Sequence, residues 1–242
     1  MKKLMALTRR NLLEMARDPL AILFCLAFPI VMLLFMQIVF VNLPVVPDNF
    51  KIENYAVGIC VFGYTFTGMF LAMSIAGDKN SSLIKRINIS PVKQGVYLAS
   101  FLCSGLPVAF CQTVLFFLLA IPFGFPVDGR LVLSLVLMFP SALFYLSLGI
   151  LLGVVCKNEK QTGPINSIVV SLTGMLGGVF MPVNLFTGGF KTFIDVLPFT
   201  HTVQIASSLY VGGSIGTHLL IIVLYTAFLW GIVLVLGKVR KR

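Results

Sequence analysis

The chain has 242 residues, of which 58% are hydrophobic and only 11% are charged. A soluble domain of this size carries about 25% charged residues, so this chain has too little charge to coat a surface that faces water. The composition therefore excludes an ordinary soluble protein and predicts an integral membrane protein. The net charge of +10 would suit a nucleic-acid partner, but the positions of the cations along the chain exclude one.

Residues 1–19 are too polar to cross a membrane, but they have the pattern of an amphipathic helix. One side carries Met1, Met5, Leu12, Met15 and Ala16, and the other carries Lys2, Lys3, Arg9, Arg10, Glu14 and Arg17. We expect this helix to lie at the membrane interface, with its apolar side in lipid and its cations toward anionic headgroups. Asp18-Pro19 ends it, so that the first span starts in a new direction. The alternative is an ordinary basic flank that only sets the topology.

Six apolar stretches follow, each near the ~20 residues that a helix needs to cross ~30 Å of hydrocarbon. They are Leu20–Val41, Tyr55–Ala76, Tyr97–Ile121, Leu131–Val155, Pro164–Met181 and Leu219–Gly237. None of them contains Asp, Glu, Lys or Arg. Because one charge at a helix centre costs about 2.5–3.5 kcal/mol, this absence predicts six transmembrane helices. The first stretch is too long for a signal peptide, and no small-residue cleavage site follows it.

The cations predict the orientation of these spans. Of the 18 Lys and Arg residues, five lie in residues 1–19, four in the second connection, two in the fourth and four at the C-terminus. The odd connections hold one each, Lys51, Arg130 and Lys191. The positive-inside rule therefore places both termini and the even connections in the cytoplasm of a protein of the cell membrane.

The longest cytoplasmic connection, residues 77–96, contains a short amphipathic pattern. Ser81 or Ser82 is suited to cap a helix in which Leu83, Ile84 and Ile87 share one face and which ends before Pro91. An apolar face on such a connection has no lipid to cover it. We therefore expect a protein partner there.

The segment 182–217 is largely apolar although it follows the fifth span on the outer side. Two short helical patterns, Phe190–Leu197 and about Thr202–Val211, lie between glycine pairs and Pro198. Neither is long enough to cross a membrane. They predict a re-entrant or interfacial hairpin in the outer leaflet.

Two G-x-x-x-G pairs, Gly149/Gly153 and Gly174/Gly178, mark positions where helices can approach closely. The sequence leaves open whether these contacts form within the bundle or along a dimer seam.

Catalytic, cofactor and metal sites are not indicated. Residues 212–216 match G-x-S-x-G, but no strand precedes them as a nucleophile elbow requires. His201 and His218 belong to no metal motif, and no phosphate-binding loop occurs in the sequence. The spans also lack the ionisable groups typical of proton- and sodium-coupled carriers. The energy for any pumping must therefore come from a partner that docks on the basic cytoplasmic side.

Two stretches near the cytoplasmic side form the first half of a longer pattern. The basic N-terminal helix ends Arg17-Asp18-Pro19, and Pro29 lies in the span that follows. The 77–96 connection contains Leu83-Ile84-Lys85-Arg86-Ile87 and then Ser90-Pro91-Val92.

The second half lies around the fifth span, which is rich in glycine and ends Gly178-Val179-Phe180-Met181-Pro182. Leu197-Pro198-Phe199-Thr200-His201 follows, before the last span and a basic tail. In this order, the four features resemble the permease subunit of second-type ABC exporters, the group that exports drugs, lipids and polysaccharides. The sequence departs from the family pattern in having Asp78-Lys79 where Glu-Arg is frequent, and Ser81 or Ser82 where a glycine precedes the coupling helix.

The resemblance implies an all-α permease that pairs with a second copy or a paralogue and docks separate ATPase subunits, which bind the ATP and magnesium. It implies coupling to the ATPase through Arg9, Arg10, Arg17, Asp18, Leu83, Ile84, Lys85, Arg86 and Ile87. It implies a substrate path through a cavity at the dimer interface, lined by the second and fifth spans, for which the candidates are Phe62, Tyr64, Phe66, Thr67, Thr173 and Met175. It also implies an outer gate, for which the candidates are Phe180, Pro182, Pro198 and His201.

The resulting hypothesis is the membrane-spanning subunit of an ATP-driven exporter of amphipathic or hydrophobic substrates, in multidrug or lipid efflux. A passive channel or secondary carrier is the alternative, and it would show no dependence on an ATPase. An intramembrane enzyme is a further alternative, which would need a conjunction of Ser, His or carboxylate groups that the sequence does not show.

Overall fold

The computed structural model describes residues 2–41, 43–79, 81–89 and 92–239. These residues form eleven α-helices, and no strand occurs among them. The helices are α1 (Lys2–Arg17), α2 (Pro19–Ile22), α3 (Phe28–Val41), α4 (Ile52–Asp78), α5 (Ser82–Ile89), α6 (Gln94–Ala120), α7 (Gly129–Val155), α8 (Glu159–Leu176), α9 (Gly188–Val196), α10 (Pro198–Val211) and α11 (Ile215–Val239).

The predicted break after the N-terminal helix is confirmed. α1 ends at Arg17, and the carboxylate of Asp18 accepts hydrogen bonds from the backbone N–H groups of Leu20 at 2.8 Å and Ala21 at 3.3 Å. Asp18 is thus the N-cap of α2, and Pro19 occupies the first helical position, where its missing N–H has no cost. A π-helical turn over Leu23–Ala27 joins α2 to α3.

Five helical segments are long and apolar enough to cross a membrane: Pro19–Phe40, Ile52–Asp78, Gln94–Phe123, Gly129–Val155 and Ile215–Leu236. They correspond to the first, second, third, fourth and sixth predicted spans. The chain is therefore an all-helical protein with several potential membrane crossings, as the composition predicts.

α8 corresponds to the fifth predicted span, but it is not one of these five segments. It starts at Glu159 rather than Pro164, and it ends at Leu176 rather than Met181. The side chain of Asn158 caps it by accepting a hydrogen bond from the backbone N–H of Gln161 at 3.1 Å. The cap adds a polar first turn, which lowers the apolar character of the helix. The other end is fixed by Gly178, whose φ of +84° is the left-handed conformation that terminates helices.

α4 is the central helix of the bundle and packs against α3, α6, α7, α8 and α10. In its most apolar window 83% of the residues are buried within the chain, compared with 17% for α11. The closest approach is to α7, because a Cβ placed on Gly149 would lie 2.1 Å from the carbonyl oxygen of Gly68. Gly153 likewise faces Ala72 and Ile75 of α4. The Gly149/Gly153 pair thus forms a contact within the bundle.

The two short helices predicted within the 182–217 segment are present as α9 and α10. Ile194 of α9 is fully buried, whereas Phe190 and Phe193 are 51% and 56% exposed. α10 packs against α4, α7, α8, α9 and α11. The position of this hairpin relative to the membrane stays a prediction.

Candidate functional site

The N-terminal helix α1 packs along α6 through one face. Asn11 and Met15, which lie one helical turn apart on that face, are 2% and 5% exposed. The side-chain amide of Asn11 donates a hydrogen bond to the hydroxyl of Ser100 in α6 at 3.0 Å. The prediction that Met15 faces lipid together with Met5 is therefore wrong: Met15 is buried in protein, and Met5 is 70% exposed.

A buried carboxylate lies where α1, α4 and α6 meet. Asp78, the last residue of α4, is only 6% exposed. Arg10 of α1 donates to both of its carboxylate oxygens, at 2.8 and 2.9 Å, in the planar two-bond geometry that suits a guanidinium. The hydroxyl of Tyr97 in α6 donates to the same carboxylate at 2.8 Å. The charge is thus neutralised by an ion pair and supplied with three hydrogen bonds.

A second carboxylate competes for the same arginine. Glu14 lies one turn beyond Arg10 and forms an ion pair with it at 3.1 Å. Burial raises the pKa of Glu14 above its ordinary value; Arg10 opposes this rise, while Asp78, Asp18 and Glu159 add to it. Negative charge is therefore concentrated at this end of the bundle around one guanidinium.

The residues beside Asp78 connect α4 to two more helices. The ammonium of Lys79 donates to the backbone carbonyls of Val154, at 2.7 Å, and of Cys156. These carbonyls end α7, where the helix leaves acceptors unpaired and favours a cation. On the other side a Cβ on Gly77 would lie 2.0 Å from a carboxylate oxygen of Glu159, at the start of α8. We call the cluster of Arg10, Glu14, Gly77, Asp78, Lys79 and Tyr97 the Asp78 junction.

The short helix α5 begins directly beyond this junction. The hydroxyl of Ser81 donates to the carbonyl of Asp78 at 2.7 Å. The predicted apolar face is partly covered by the chain itself, since Ile87 is 9% exposed and Ile84 is half-buried. Ile89, in contrast, is 88% exposed. The side chains of Leu83, Lys85 and Arg86 lie outside the part of the chain that the structure describes.

Three of the predicted path residues are buried between helices of the same chain. Tyr64, Thr67 and Thr173 are each 0% exposed. Their hydroxyls hydrogen-bond across helices: Tyr64 to Thr113 of α6, Thr67 to Gln112 of α6 at 3.1 Å, and Thr173 to Tyr145 of α7 at 3.1 Å. They fasten the bundle together and do not line an open surface of this chain.

The other three predicted path residues lie nearer the surface of α4 and α8. Phe62 is 5% exposed and meets Phe180 edge-on, with ring centroids 5.1 Å apart. Phe66 is half-buried and packs against Phe28, with their ring centroids 5.6 Å apart. Met175 is 52% exposed. Phe66 and Met175 are thus the predicted path residues with the most accessible side chains.

The predicted gate residues gather around the end of α8 and the start of α10. Phe180 is half-buried, with its ring 2.9 Å from where a Cβ on Gly174 would lie, and Pro198 is buried at the first position of α10. Pro182 lines a cavity of about 350 Å³ whose wall also includes His218. His201 is 6% exposed and hydrogen-bonds through both ring nitrogens.

Comparison with known families decides what kind of bundle this is. Residues 2–211, which run from α1 to the end of α10, match the family model described as ABC-2 type transporter. The chain belongs to the ABC-2 type transporter family. No curated protein matches the chain.

For an ABC-2 type transporter, the predicted coupling residues divide into two groups. Arg9 and Arg17 are exposed on α1, where a partner has access to them. Arg10, Asp18 and Ile87 are engaged within the chain, as an ion-pair partner, a helix cap and a buried side chain. Arg10, Asp18 and Ile87 therefore hold the local structure from which Arg9 and Arg17 project.

Sequence reasoning missed Tyr97 of the Asp78 junction, and also Asn11 and Ser100, whose hydrogen bond joins α1 to α6. One signal was present: Asn11 is an amide between the apolar positions Leu7 and Met15, which indicates a helix face that meets polar protein groups rather than lipid. The role of Tyr97, at the start of a span, follows only from its neighbours in space.

The Asp78 junction predicts that α1 detaches when the carboxylate is neutralised. We expect Asp78→Asn to weaken its docking by about 1–3 kcal/mol, because Arg10 then loses its buried counter-charge and keeps only Glu14, which lies on the same helix, and solvent, to which its side chain is 35% exposed. The measurement is the rate at which trypsin releases N-terminal fragments by cutting after Arg9 and Arg17, followed by mass spectrometry. The rate should rise about 5- to 150-fold, in proportion to the population of the detached helix.

Asp128→Asn is the matched control for this experiment. Asp128 also pairs with an arginine, Arg130 at 2.7 Å, but both side chains are exposed, so the pair contributes little. Equal fragment release from wild type, Asp78→Asn and Asp128→Asn would show that the ion pair does not hold α1.

Proposed function

We propose that this chain is the permease subunit of an ATP-driven exporter, working with a separate ATPase that binds ATP and magnesium. The observation that carries the proposal is the family match over residues 2–211. It is supported by the lack of any phosphate-binding loop in the 242 residues, which leaves hydrolysis to a partner. A second permease copy or a paralogue would complete the transport unit.

The proposed topology has six spans, with α8 as the fifth and both termini in the cytoplasm. The charge distribution supports this orientation, because fifteen of the eighteen Lys and Arg residues lie on the predicted cytoplasmic side. The fold is consistent with it, since α1, α5 and the Asp78 junction occupy one end of α4. The 182–217 segment then lies at the outer side as a re-entrant hairpin.

The topology predicts opposite accessibility for cysteines placed at two exposed positions. Lys191→Cys on α9 should react with a membrane-impermeant maleimide added to intact cells, and Ser82→Cys on α5 should react only after permeabilisation. The native Cys103 and Cys111, which are not buried, are first changed to Ser. Labelling of Ser82→Cys from outside would overturn the orientation.

The exposed face of α8 supports its place beside the path. Ser167, Ser171 and Met175 lie on this face, so it carries hydroxyl groups as well as apolar groups. The hydroxyl of Ser167 donates back to the carbonyl of Gly163 at 3.0 Å, so it needs no partner outside the helix. A face of mixed polarity suits an amphipathic substrate or a second permease copy. We infer that Phe66 and Met175 contact the substrate, while Tyr64, Thr67 and Thr173 hold the helices that form the path.

The Asp78 junction suggests how ATPase movement reaches the spans. Closure of the ATPase subunits would press on α1 and α5, where Arg9, Arg17 and Ile89 are exposed. Because Gly77, Asp78 and Lys79 contact α1, α6, α7 and α8, a displacement of α1 is passed directly to four helices. The two halves of the dimer would then rock and open the path to the outside.

The test of the proposed function is reconstitution of the full chain with and without its ATPase. The chain alone should show neither ATP hydrolysis nor ATP-dependent movement of a fluorescent amphiphile in vesicles, and both should appear when the ATPase is added. Hydrolysis by the chain alone would contradict the proposal. Flux through the chain without any ATPase would instead favour a passive channel or a secondary carrier.

Docking of the ATPase on α5 predicts a specific effect at Ile89. This side chain is 88% exposed, and its burial in a partner's cleft would contribute about 1.5–3 kcal/mol, or about ten- to hundredfold in Kd. Ile89→Asp should therefore leave the chain folded but reduce co-purification of the ATPase by that factor. Ile87 is unsuitable for this test because it is buried in the chain itself.

Val45→Asp is the matched control, since Val45 is 79% exposed and lies in the connection before α4, on the predicted outer side. It should leave ATPase binding unchanged. Wild-type binding by Ile89→Asp would show that α5 is an ordinary connecting helix.

A further inference from the structure

The only two histidines of the chain, His201 of α10 and His218 of α11, are in direct contact. Their Nδ1 atoms are 2.8 Å apart, and their ring centroids are separated by 5.0 Å. His201 is 6% exposed, and His218 is half-buried at the first turn of its helix. Two ring nitrogens at this distance form a hydrogen bond only if one carries a proton and the other does not.

A third group fixes the position of that proton. Nε2 of His201 lies 2.8 Å from the backbone carbonyl oxygen of Asp195, which can only accept, so Nε2 carries a hydrogen. In neutral His201 the Nδ1 atom is therefore the acceptor, and His218 donates its Nδ1 hydrogen. After one ring takes up a proton the hydrogen bond persists. His218 remains the donor if the proton goes to its own Nε2 atom, and His201 becomes the donor if the proton goes to its Nδ1 atom and His218 moves its hydrogen to Nε2. After the second ring is protonated, two N–H groups and two positive charges face each other, and the bond is lost.

The pair joins three helices of the 182–217 region. Asp195 lies at the end of α9, His201 in the first turn of α10, and His218 at the start of α11. α9 also contacts α11 directly, because the hydroxyl of Tyr225 donates to the carbonyl of Val196 at 3.0 Å. The cavity of about 350 Å³ reaches His218 and gives solvent protons access.

Few charges from neighbouring elements act on the pair. The charged groups at this end are Lys191 and Asp195 of α9, Glu53 of α4, and two ion pairs, Asp48 with Lys51 and Asp128 with Arg130. Asp48 lines the same cavity as His218. α8 has no charged residue after Lys160, and α11 has none before Lys238. Burial lowers the pKa of His201 from its ordinary value of 6.5, against the smaller opposing effect of Asp195.

We propose that His201 and His218 form an acid-released latch on the outer segment: the hydrogen bond between their Nδ1 atoms holds α10, and through Asp195 also α9, to α11, and protonation of both rings releases them. The direction follows from proton uptake, because the closed pair accepts only one added proton whereas the two separated rings accept two. Falling pH therefore favours the separated state, and this begins as the pH passes the ordinary histidine pKa of 6.5, which applies to the separated rings. Burial, which lowers the pKa of His201 in the closed state, acts in the same direction. Only the interpretation of the latch as an exit gate depends on the proposed function.

Two substitutions of His218 separate the latch from ordinary packing. His218→Asn places an amide near the former Nδ1 position, which can donate to neutral His201 through nitrogen or accept from protonated His201 through oxygen. It should keep the segment closed at every pH. His218→Ala removes the partner and should leave the segment open at every pH.

The experiment measures the mobility of α9 in the purified full chain. A nitroxide is attached to Lys191→Cys, with Cys103 and Cys111 changed to Ser, and electron paramagnetic resonance spectra are recorded from pH 8 to pH 5. The mobile component of wild type should increase several-fold as the pH falls below 6.5. The Asn variant should remain immobile throughout, and the Ala variant should be mobile throughout.

A pH-independent wild-type spectrum, or a pH response of the Asn variant equal to that of wild type, would overturn the latch. If the Ala variant does not fold, the comparison of wild type with the Asn variant still tests whether the latch exists. The measurement uses neither ATPase nor substrate, so its outcome is independent of whether the chain proves to be an exporter.

Discussion

A carboxylate that is 6% exposed at the end of a long apolar helix is stable only beside fixed partners, and the fold at this end of the bundle follows from that constraint. For Asp78 the partners come from α1 and α6, so loss of α1 would leave the charge unpaired and loss of α6 would remove one of its hydrogen bonds. Lys79 places a cation on the last carbonyls of α7 and so adds the fourth helix. An amphipathic N-terminal helix that would otherwise rest on the membrane becomes part of the bundle.

The interior of the bundle depends on a different kind of contact, in which side chains are absent or hydrogen-bonded. Gly68 and Gly149 bring the backbones of α4 and α7 together, where dispersion and close packing replace the hydrophobic effect that lipid cannot supply. Around this contact, hydroxyls and one amide, that of Gln112, pair across helices. Such pairs matter for stability, because a polar group within a membrane has no water to hydrogen-bond with if its protein partner is lost.

The sequence predicts the helices well, because their signals are local. It predicts poorly which side of each helix is buried, because that depends on residues distant in the chain. The spans follow from uninterrupted apolar runs, and the break at Asp18-Pro19 follows from local capping chemistry. The predicted ends of α8 are wrong because Asn158, outside the apolar run, sets its start and Gly178 sets its end. The burial of Met15 and Ile87, and of Tyr64 within the proposed path, depends on which helix packs against them, and periodicity does not contain that information.

The Gly68–Gly149 contact also gives α4 the geometry of a lever. α4 has 27 residues and is therefore about 40 Å long, with the contact about 15 Å from Asp78 and about 24 Å from Ile52. A rigid rod that pivots where its backbone is pressed against another multiplies a displacement by the ratio of its arms, here about 1.6. If α4 pivots at this contact, a push of about 2 Å at the Asp78 end would become about 3 Å at the opposite end, where α4 and α10 border the same cavities.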